Sequence, residues 1–274
     1  YYKDVAILAF PSFRNGKPIG FSDWQLLNNS VFNHKGLIDI REYDKEQVIH
    51  PEDVIDLTKQ VDSNGCLSWE APSGNWTIIR MGHTSTGQMN ATAGGGKGLE
   101  ADKFSSSSVN KLLDNWFSLF LSRPHSSVVK YLHVDSWECG TQNWGSSFAK
   151  EFRSRRGYNL VDWLPVMVGI PLESAVESER VLHDIRVTQN DLVNAIFFKT
   201  VEKYAHHHAL KVSHESIAPT FVADGLEHYK YSDVPMGEFW LNSPTHDKPS
   251  DMLDAISGAH IYGKPIVQAE GFTE

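Results

Sequence analysis

The feature of this 274-residue sequence that most restricts its fold is a repeated alternation of short apolar runs with longer amphipathic stretches. Strands are predicted for five of the apolar runs, at 76–81, 128–134, 210–213, 234–238 and 265–269, and helices for most of the stretches between them. Strands that alternate with helices indicate a parallel sheet with crossover helices. Five such strands fit either an open doubly wound sheet or part of a (β/α)8 barrel of the TIM type.

The first 75 residues have a different pattern. Short strand-length runs, with the hairpin signal Asn64-Gly65 among them, predict a small β-rich module over residues 1–75. A turn cluster at 71–74 marks its end, and residues 76–274 are predicted as the barrel domain. A complete α/β barrel takes roughly 250 residues. We therefore expect the barrel to be incomplete in this chain.

The composition excludes several classes of protein. The chain has 34 acidic and 25 basic residues, a net charge of -9, which argues against nucleic-acid binding. It has no run near the ~18 uncharged apolar residues of a membrane-spanning helix. Its two cysteines lack the spacing of a zinc module or a disulfide framework. The acidic balance suits a soluble, neutral substrate, and the oligomeric state stays open.

Four predicted strands each run into a glutamate, namely Glu138, Glu215, Glu238 and Glu270. In a (β/α)8 barrel the carboxyl ends of the strands form the active site, so these side chains are expected to converge. Any one of them is as well explained as a helix cap or an ion-pair partner. Four together favour an acidic site, because a buried carboxylate without a partner is costly.

Paired carboxylates are what glycoside hydrolysis requires: one donates a proton to the leaving oxygen, and the other attacks the sugar or activates water. Aromatic side chains that suit the apolar faces of sugar rings stand beside these glutamates: Trp137, Trp144, Phe239, Trp240 and Phe272. Strand alternation places His133 on the same face as Asp135. For His133 and for His214, a hydrogen bond to a sugar hydroxyl and a role in the core both stay open.

Five motifs carry a family resemblance: TSTGQMNATAGGGKGLEADKFS, YLHVDSWECGTQNW, KVSHES, PMGEFW and IVQAEGF, in this order. Together they resemble the catalytic domain of family 106 glycoside hydrolases, the α-L-rhamnosidases, over nearly the whole chain. The resemblance implies calcium-dependent, inverting hydrolysis of terminal α-L-rhamnosides on a (β/α)8 barrel. It implies Glu138 as general acid and Glu270 as general base, although the two roles are exchangeable. Glu238 would contact the metal or a sugar hydroxyl, and Glu215 is the second candidate Ca2+ ligand.

The remaining expectations concern substrate contacts and context. The candidate substrate-binding residues are Asp135, Trp137, His214, Trp240 and His133. The resemblance also implies an exported bacterial enzyme that degrades polysaccharide. It further implies barrel strands before Tyr1, with the β-rich module as an insertion, and at least one strand after Glu274.

Two alternatives remain at this stage. A retaining β-glycosidase would use Glu138 as acid and Glu238 as nucleophile. A carbohydrate-binding fragment without catalytic activity is the other.

Overall fold

The structure is a computed structural model that describes residues 2–13, 44, 47–89, 97–137, 139–140, 142–215, 223–239 and 249–271. Its strands are β1 (Tyr2–Pro11), β2 (Ile55–Asp56), β3 (Trp76–Thr84), β4 (Tyr131–Val134), β5 (Lys211–His214), β6 (Val234–Phe239) and β7 (Gln268–Gly271). Its α-helices are α1 (Ser106–Leu121), α2 (Phe148–Arg156), α3 (Ala175–Leu192), α4 (Lys199–His207) and α5 (Pro249–Tyr262). Short 3-10 helices lie at Pro51–Asp53, Thr58–Gln60, Ser126–Val128, Leu160–Val168 and Glu227–Tyr231.

The chain divides into two compact units. One contains residues 1–86 and 143–188, and the other contains residues 87–142 and 189–274. The predicted boundary at residue 75, and the insertion of a β-rich module into a barrel, are not confirmed and stay predictions.

The first unit contains an antiparallel sheet with the strand order β2-β1-β3. Ile7, Ala9 and Leu57 form its buried core, with partly buried residues such as Trp76 packed against them. The strand predicted at 76–81 is present as β3, but it pairs with β1 and alternates between partly buried and exposed residues. It is therefore not a buried strand of the parallel sheet, because β1 provides its hydrogen-bond partners.

The second unit contains a parallel sheet with the strand order β4-β5-β6-β7. Leu132, Val212 and Val234, one from each of the first three strands, are almost fully buried. Helix α4 precedes β5 directly, and α5 connects β6 to β7, which is the predicted crossover arrangement. Four of the five predicted strands thus form one parallel sheet whose carboxyl ends share an edge.

Local signals explain where several helices begin and end. The Ser105 hydroxyl accepts a hydrogen bond from the Ser108 N–H and caps α1. Helix α2 ends at Gly157, which has a φ of 86° that favours glycine. Helix α3 continues through a π-helical segment at Val193–Phe198 into α4. None of the described helices combines the length and the apolar content that crossing a membrane requires.

Candidate active site

Acidic side chains lie at the carboxyl ends of all four parallel strands. Glu238 of β6 is paired in register with Glu270 of β7, so both side chains point to the same side of the sheet. Glu215 follows β5, and its N–H donates to the Val134 carbonyl at 3.0 Å, which extends the pairing with β4. Asp135 is the first residue after β4, as Glu215 is after β5. The predicted convergence is thus present for Glu215, Glu238 and Glu270, whereas Glu138 lies outside the described residues.

Glu215 is the most buried of these carboxyl groups, with 2% of the residue exposed. Neither carboxyl oxygen is in hydrogen-bonding geometry with another described residue. Burial raises the pKa of Glu215 to about 9, and the neighbouring carboxylates of Asp135, Glu270 and Glu238 add to the shift. In the absence of a cation this group is therefore protonated at neutral pH.

Asp135 and His133 lie on the same face of the sheet as Glu215. Ligand atoms of the three residues lie within 4.8 Å of one another. His133 Nε2 is 3.6 Å from the Asp135 carboxylate, and its Nδ1 is 2.8 Å from the Ser213 hydroxyl. Partial burial raises the pKa of Asp135. The neutral Glu215 carboxyl group, the Ser136 N–H and His133 favour the ionised form of Asp135, so that its pKa is lowered overall. An ionised Asp135 therefore stands beside a protonated Glu215.

His214 lies on the opposite face of β5, away from the carboxylates. It is fully buried, with its ring centre 4.7 Å from that of Phe198 and 6.3 Å from that of His228. Burial keeps the pKa of His214 well below its ordinary value, so the ring is neutral. The structure does not bring this predicted substrate-binding residue to the acidic edge, because strand alternation turns it into the core.

His228 contacts the end of β5 on the same face as His214, and it is not among the residues predicted from the sequence. Its Nε2 is 3.2 Å from the Glu215 carbonyl oxygen. Since a carbonyl only accepts, this nitrogen carries the hydrogen. Burial lowers the pKa of His228 to about 3. His228 comes from a 3-10 helix whose surrounding sequence contains no recognisable site motif.

Trp137 was predicted to contact sugar, but the structure buries it. Only 6% of the residue is exposed. Its Nε1 donates to the Gly140 carbonyl at 2.8 Å, and its ring meets the Phe197 ring edge-on at 6.0 Å. Lys103 Nζ lies 4.9 Å from the ring centre. These neighbours leave Trp137 little surface for a ligand. Trp240 lies outside the described residues.

Two glycines allow the close packing around the acidic edge. A Cβ added at Gly237 would lie 2.7 Å from the Asp251 carbonyl oxygen of α5. One added at Gly271 would lie 2.9 Å from the Phe239 ring. Each glycine is a direct chain neighbour of a site glutamate, in the MGE and AEG motifs. This adjacency of glycine and glutamate is the sequence signal that marks the close packing.

Within the described residues, two groups of side chains are compact enough to bind a metal ion. His50, Glu52 and Glu173 form an exposed group in the first unit. His133, Asp135 and Glu215 form the other, at the acidic edge. Carboxylate oxygens are the ligands that Ca2+ prefers. Asp135 and Glu215 supply carboxyl oxygens that fit such a cation, whereas His133 supplies an imidazole nitrogen. Glu238 and Glu270 raise the pKa of Glu215 but lie outside this compact group.

Comparison with known proteins identifies the family. The model for glycoside hydrolase family 106, alpha-L-rhamnosidase, matches residues 28–274. The chain belongs to this family. The fold agrees: the solved structure of a rhamnosidase from Novosphingobium sp. PP1Y matches 83% of the chain with a TM-score of 0.75 and 30% identity. The family resemblance is thereby confirmed, and the parallel sheet fits part of an α/β barrel.

A second relative has a different name. A protein of Formosa agariphila, named "Putative beta-glucuronidase", is 36% identical over 100% of the chain. The chain spans 23% of the length of this protein and 23% of the rhamnosidase chain.

Proposed function

We propose that the protein to which this chain belongs is an exo-acting, inverting alpha-L-rhamnosidase that releases terminal L-rhamnose. The observation that carries this proposal is the convergence of Asp135, Glu215, Glu238 and Glu270 at one sheet edge in a chain of the alpha-L-rhamnosidase family. In α/β barrels the active site usually lies at the edge where the carboxyl ends of the parallel strands meet. Export and polysaccharide degradation stay predictions.

In the proposed reaction, Glu138 protonates the departing glycosidic oxygen. Glu270 accepts a proton from the water that attacks the opposite face of the sugar ring. Inversion requires the two carboxyl groups to stand about 6.5–9.5 Å apart, so that the water fits between them. Glu270 is partly exposed at the strand end, which leaves its carboxylate open to a bound water.

Glu238 and Glu215 are the proposed Ca2+ ligands, and Asp135 lies beside Glu215. When bound, Ca2+ would neutralise the carboxylates and coordinate sugar hydroxyls. The protein contributes by holding the carboxyl groups of Glu238 and Glu215 in fixed positions. Glu238 is 8% exposed and belongs to a paired strand, and Glu215 is tied to β4 through its backbone N–H.

The test uses the full-length protein and an aryl alpha-L-rhamnoside. Glu138→Gln and Glu270→Gln should each lower kcat by at least about 100-fold, the usual contribution of a general acid or base. The exposed Glu70→Gln is the matched control and should keep the parent rate. Product analysis by NMR should show an inverted anomeric centre first. A Glu138→Gln protein with the parent rate would exclude the acid assignment.

The Formosa agariphila relative favours a second candidate, a retaining β-glycosidase acting on glucuronides, with Glu138 as acid and Glu238 as nucleophile. A glucuronide carries a carboxylate, which the clustered carboxyl groups at this edge would repel, whereas rhamnose is uncharged. Parallel assays with aryl rhamnoside and aryl β-glucuronide separate the two. Hydrolysis of the glucuronide with retained configuration would support the second candidate.

The non-catalytic alternative also has a direct test. Calorimetric binding of rhamnose without turnover of any aryl glycoside over a long incubation would identify a carbohydrate-binding protein.

A further inference from the structure

Lys103 is a buried cation beside the segment that contains Glu138. Its side chain is 9% exposed, and Nζ pairs with the Glu100 carboxylate at 2.6 Å. The same Nζ lies 4.9 Å from the centre of the Trp137 ring and 5.7 Å from that of Phe197. A buried ammonium group is costly unless it is compensated, and an anion and two ring faces provide the compensation here.

The chain around Lys103 also contacts the other end of this segment. The backbone N–H of Lys103 donates to Gln142 Oε1 at 3.0 Å, and Gln142 Nε2 donates to the Asp102 carboxylate at 2.6 Å. The contacts at Trp137 and Gln142 thus lie on both sides of Glu138 in the sequence.

We infer that Lys103 is a positioning residue for the general acid, because it holds Trp137 and Gln142, which lie on either side of Glu138 in the sequence. This role rests on the proposed function of Glu138, whereas the contacts themselves do not. A general acid must come within about 2.6–3.2 Å of the atom that it protonates. A displacement of about 1 Å can cost as much as 100-fold in rate.

Three variants separate positioning from general stability. Lys103→Met removes the charge and keeps the chain length, and Lys103→Arg restores a cation that stacks on aromatic rings. Arg80→Met is the matched control in the antiparallel sheet. Arg80 also pairs with a carboxylate, that of Asp4 at 2.7 Å, and lies 5.9 Å from the centre of the Tyr2 ring.

The readout is the dependence of kcat on the leaving group, measured with phenyl and 2,4-dinitrophenyl alpha-L-rhamnoside on the full-length protein. Dinitrophenolate departs without protonation, so its rate does not depend on the general acid. Lys103→Met should lower kcat about 10-fold or more on the phenyl substrate and less than about threefold on the dinitrophenyl substrate, at similar KM. Lys103→Arg should recover most of the loss, and Arg80→Met should change neither rate. An equal loss on both substrates would overturn the inference.

Hydrogen exchange of residues 135–142 without substrate gives a second measurement that needs no activity. Lys103→Met should accelerate exchange there about 10-fold, with β5 to β7 unchanged, and unchanged exchange in 135–142 would overturn the inference. If the parent cleaves no rhamnoside, the proposed function fails, and this measurement alone decides whether Lys103 positions the segment. Lys103→Gln, which keeps a long polar side chain, replaces Lys103→Met if the latter does not fold.

Discussion

The buried carboxyl group of Glu215 allows a quantitative test of the acidic edge. An unfolded chain ionises this group near pH 4.5, whereas the folded chain keeps it protonated up to about pH 9. Between these values the folded state binds one proton more than the unfolded state, so the free energy of unfolding falls as pH rises. The slope is about 1.4 kcal/mol per pH unit. By neutral pH, ionisation of this group in the unfolded chain has lowered the free energy of unfolding by about 3 kcal/mol when no cation is present.

The perturbation is Glu215→Gln, which replaces the titrating group by a neutral amide of similar shape. Urea unfolding in EDTA, at several values between about pH 5 and pH 8, gives the free energy of unfolding of both proteins. The stability of the parent should fall relative to the variant by about 1.4 kcal/mol per pH unit. Ca2+ should stabilise the parent and leave the variant almost unchanged.

The control for this test is the exposed Glu70→Gln, which should follow the parent at every pH. If the stability curves of the parent and Glu215→Gln stay parallel across this pH range, then Glu215 does not titrate differently in the folded state. The description of a protonated carboxyl group inside a like-charged cluster would then be refuted.

Three further predictions concern packing and metal binding. Gly237→Ala should destabilise the protein by about 1–3 kcal/mol in chemical denaturation, since its Cβ would meet backbone atoms of Asp251; an unchanged stability would contradict this close approach. Phe198→Ala should cost about 3–5 kcal/mol by the same measurement, because Phe198 is 1% exposed; a loss below about 1 kcal/mol would mean that the site collapses around the cavity. Glu238→Gln should weaken the increase in Tm on addition of Ca2+, and an identical increase would exclude Glu238 as a ligand.

The parallel sheet and its acidic edge could be predicted from local sequence. Strands β4 to β7 overlap the predicted runs 128–134, 210–213, 234–238 and 265–269, and the residue types at the strand ends are visible in the sequence. Parallel strands end at the same edge of the sheet. The order of the predicted strands along the sequence is therefore enough to bring Glu215, Glu238 and Glu270 together. Strand alternation likewise gave His133 and Asp135 the same face, which the structure shows.

Other features depend on contacts between distant residues, and a periodic pattern does not reveal these. The run at 76–81 has the composition of a core strand, yet its partner β1 lies about 70 residues earlier in an antiparallel sheet. Trp137 has the residue type of a sugar platform, but Lys103 and Phe197, which cover its ring, are distant in sequence. Lys103 stands inside a motif of the family resemblance, where only its spatial neighbours indicate a role.

The π-helical segment Val193–Phe198 contacts residues at the ends of two strands, β4 and β5. Its last two residues are aromatic and point in different directions: Phe197 packs on Trp137, and Phe198 packs on His214 at 4.7 Å and His228 at 5.1 Å. A π-helical turn takes more residues than an α-helical turn, so deleting one residue would rotate the side chains beyond it by about 100°. Neither aromatic residue could then keep its contact. The irregularity therefore fixes both Trp137, after β4, and the core side of β5, and its loss should disturb Trp137 and His214 together.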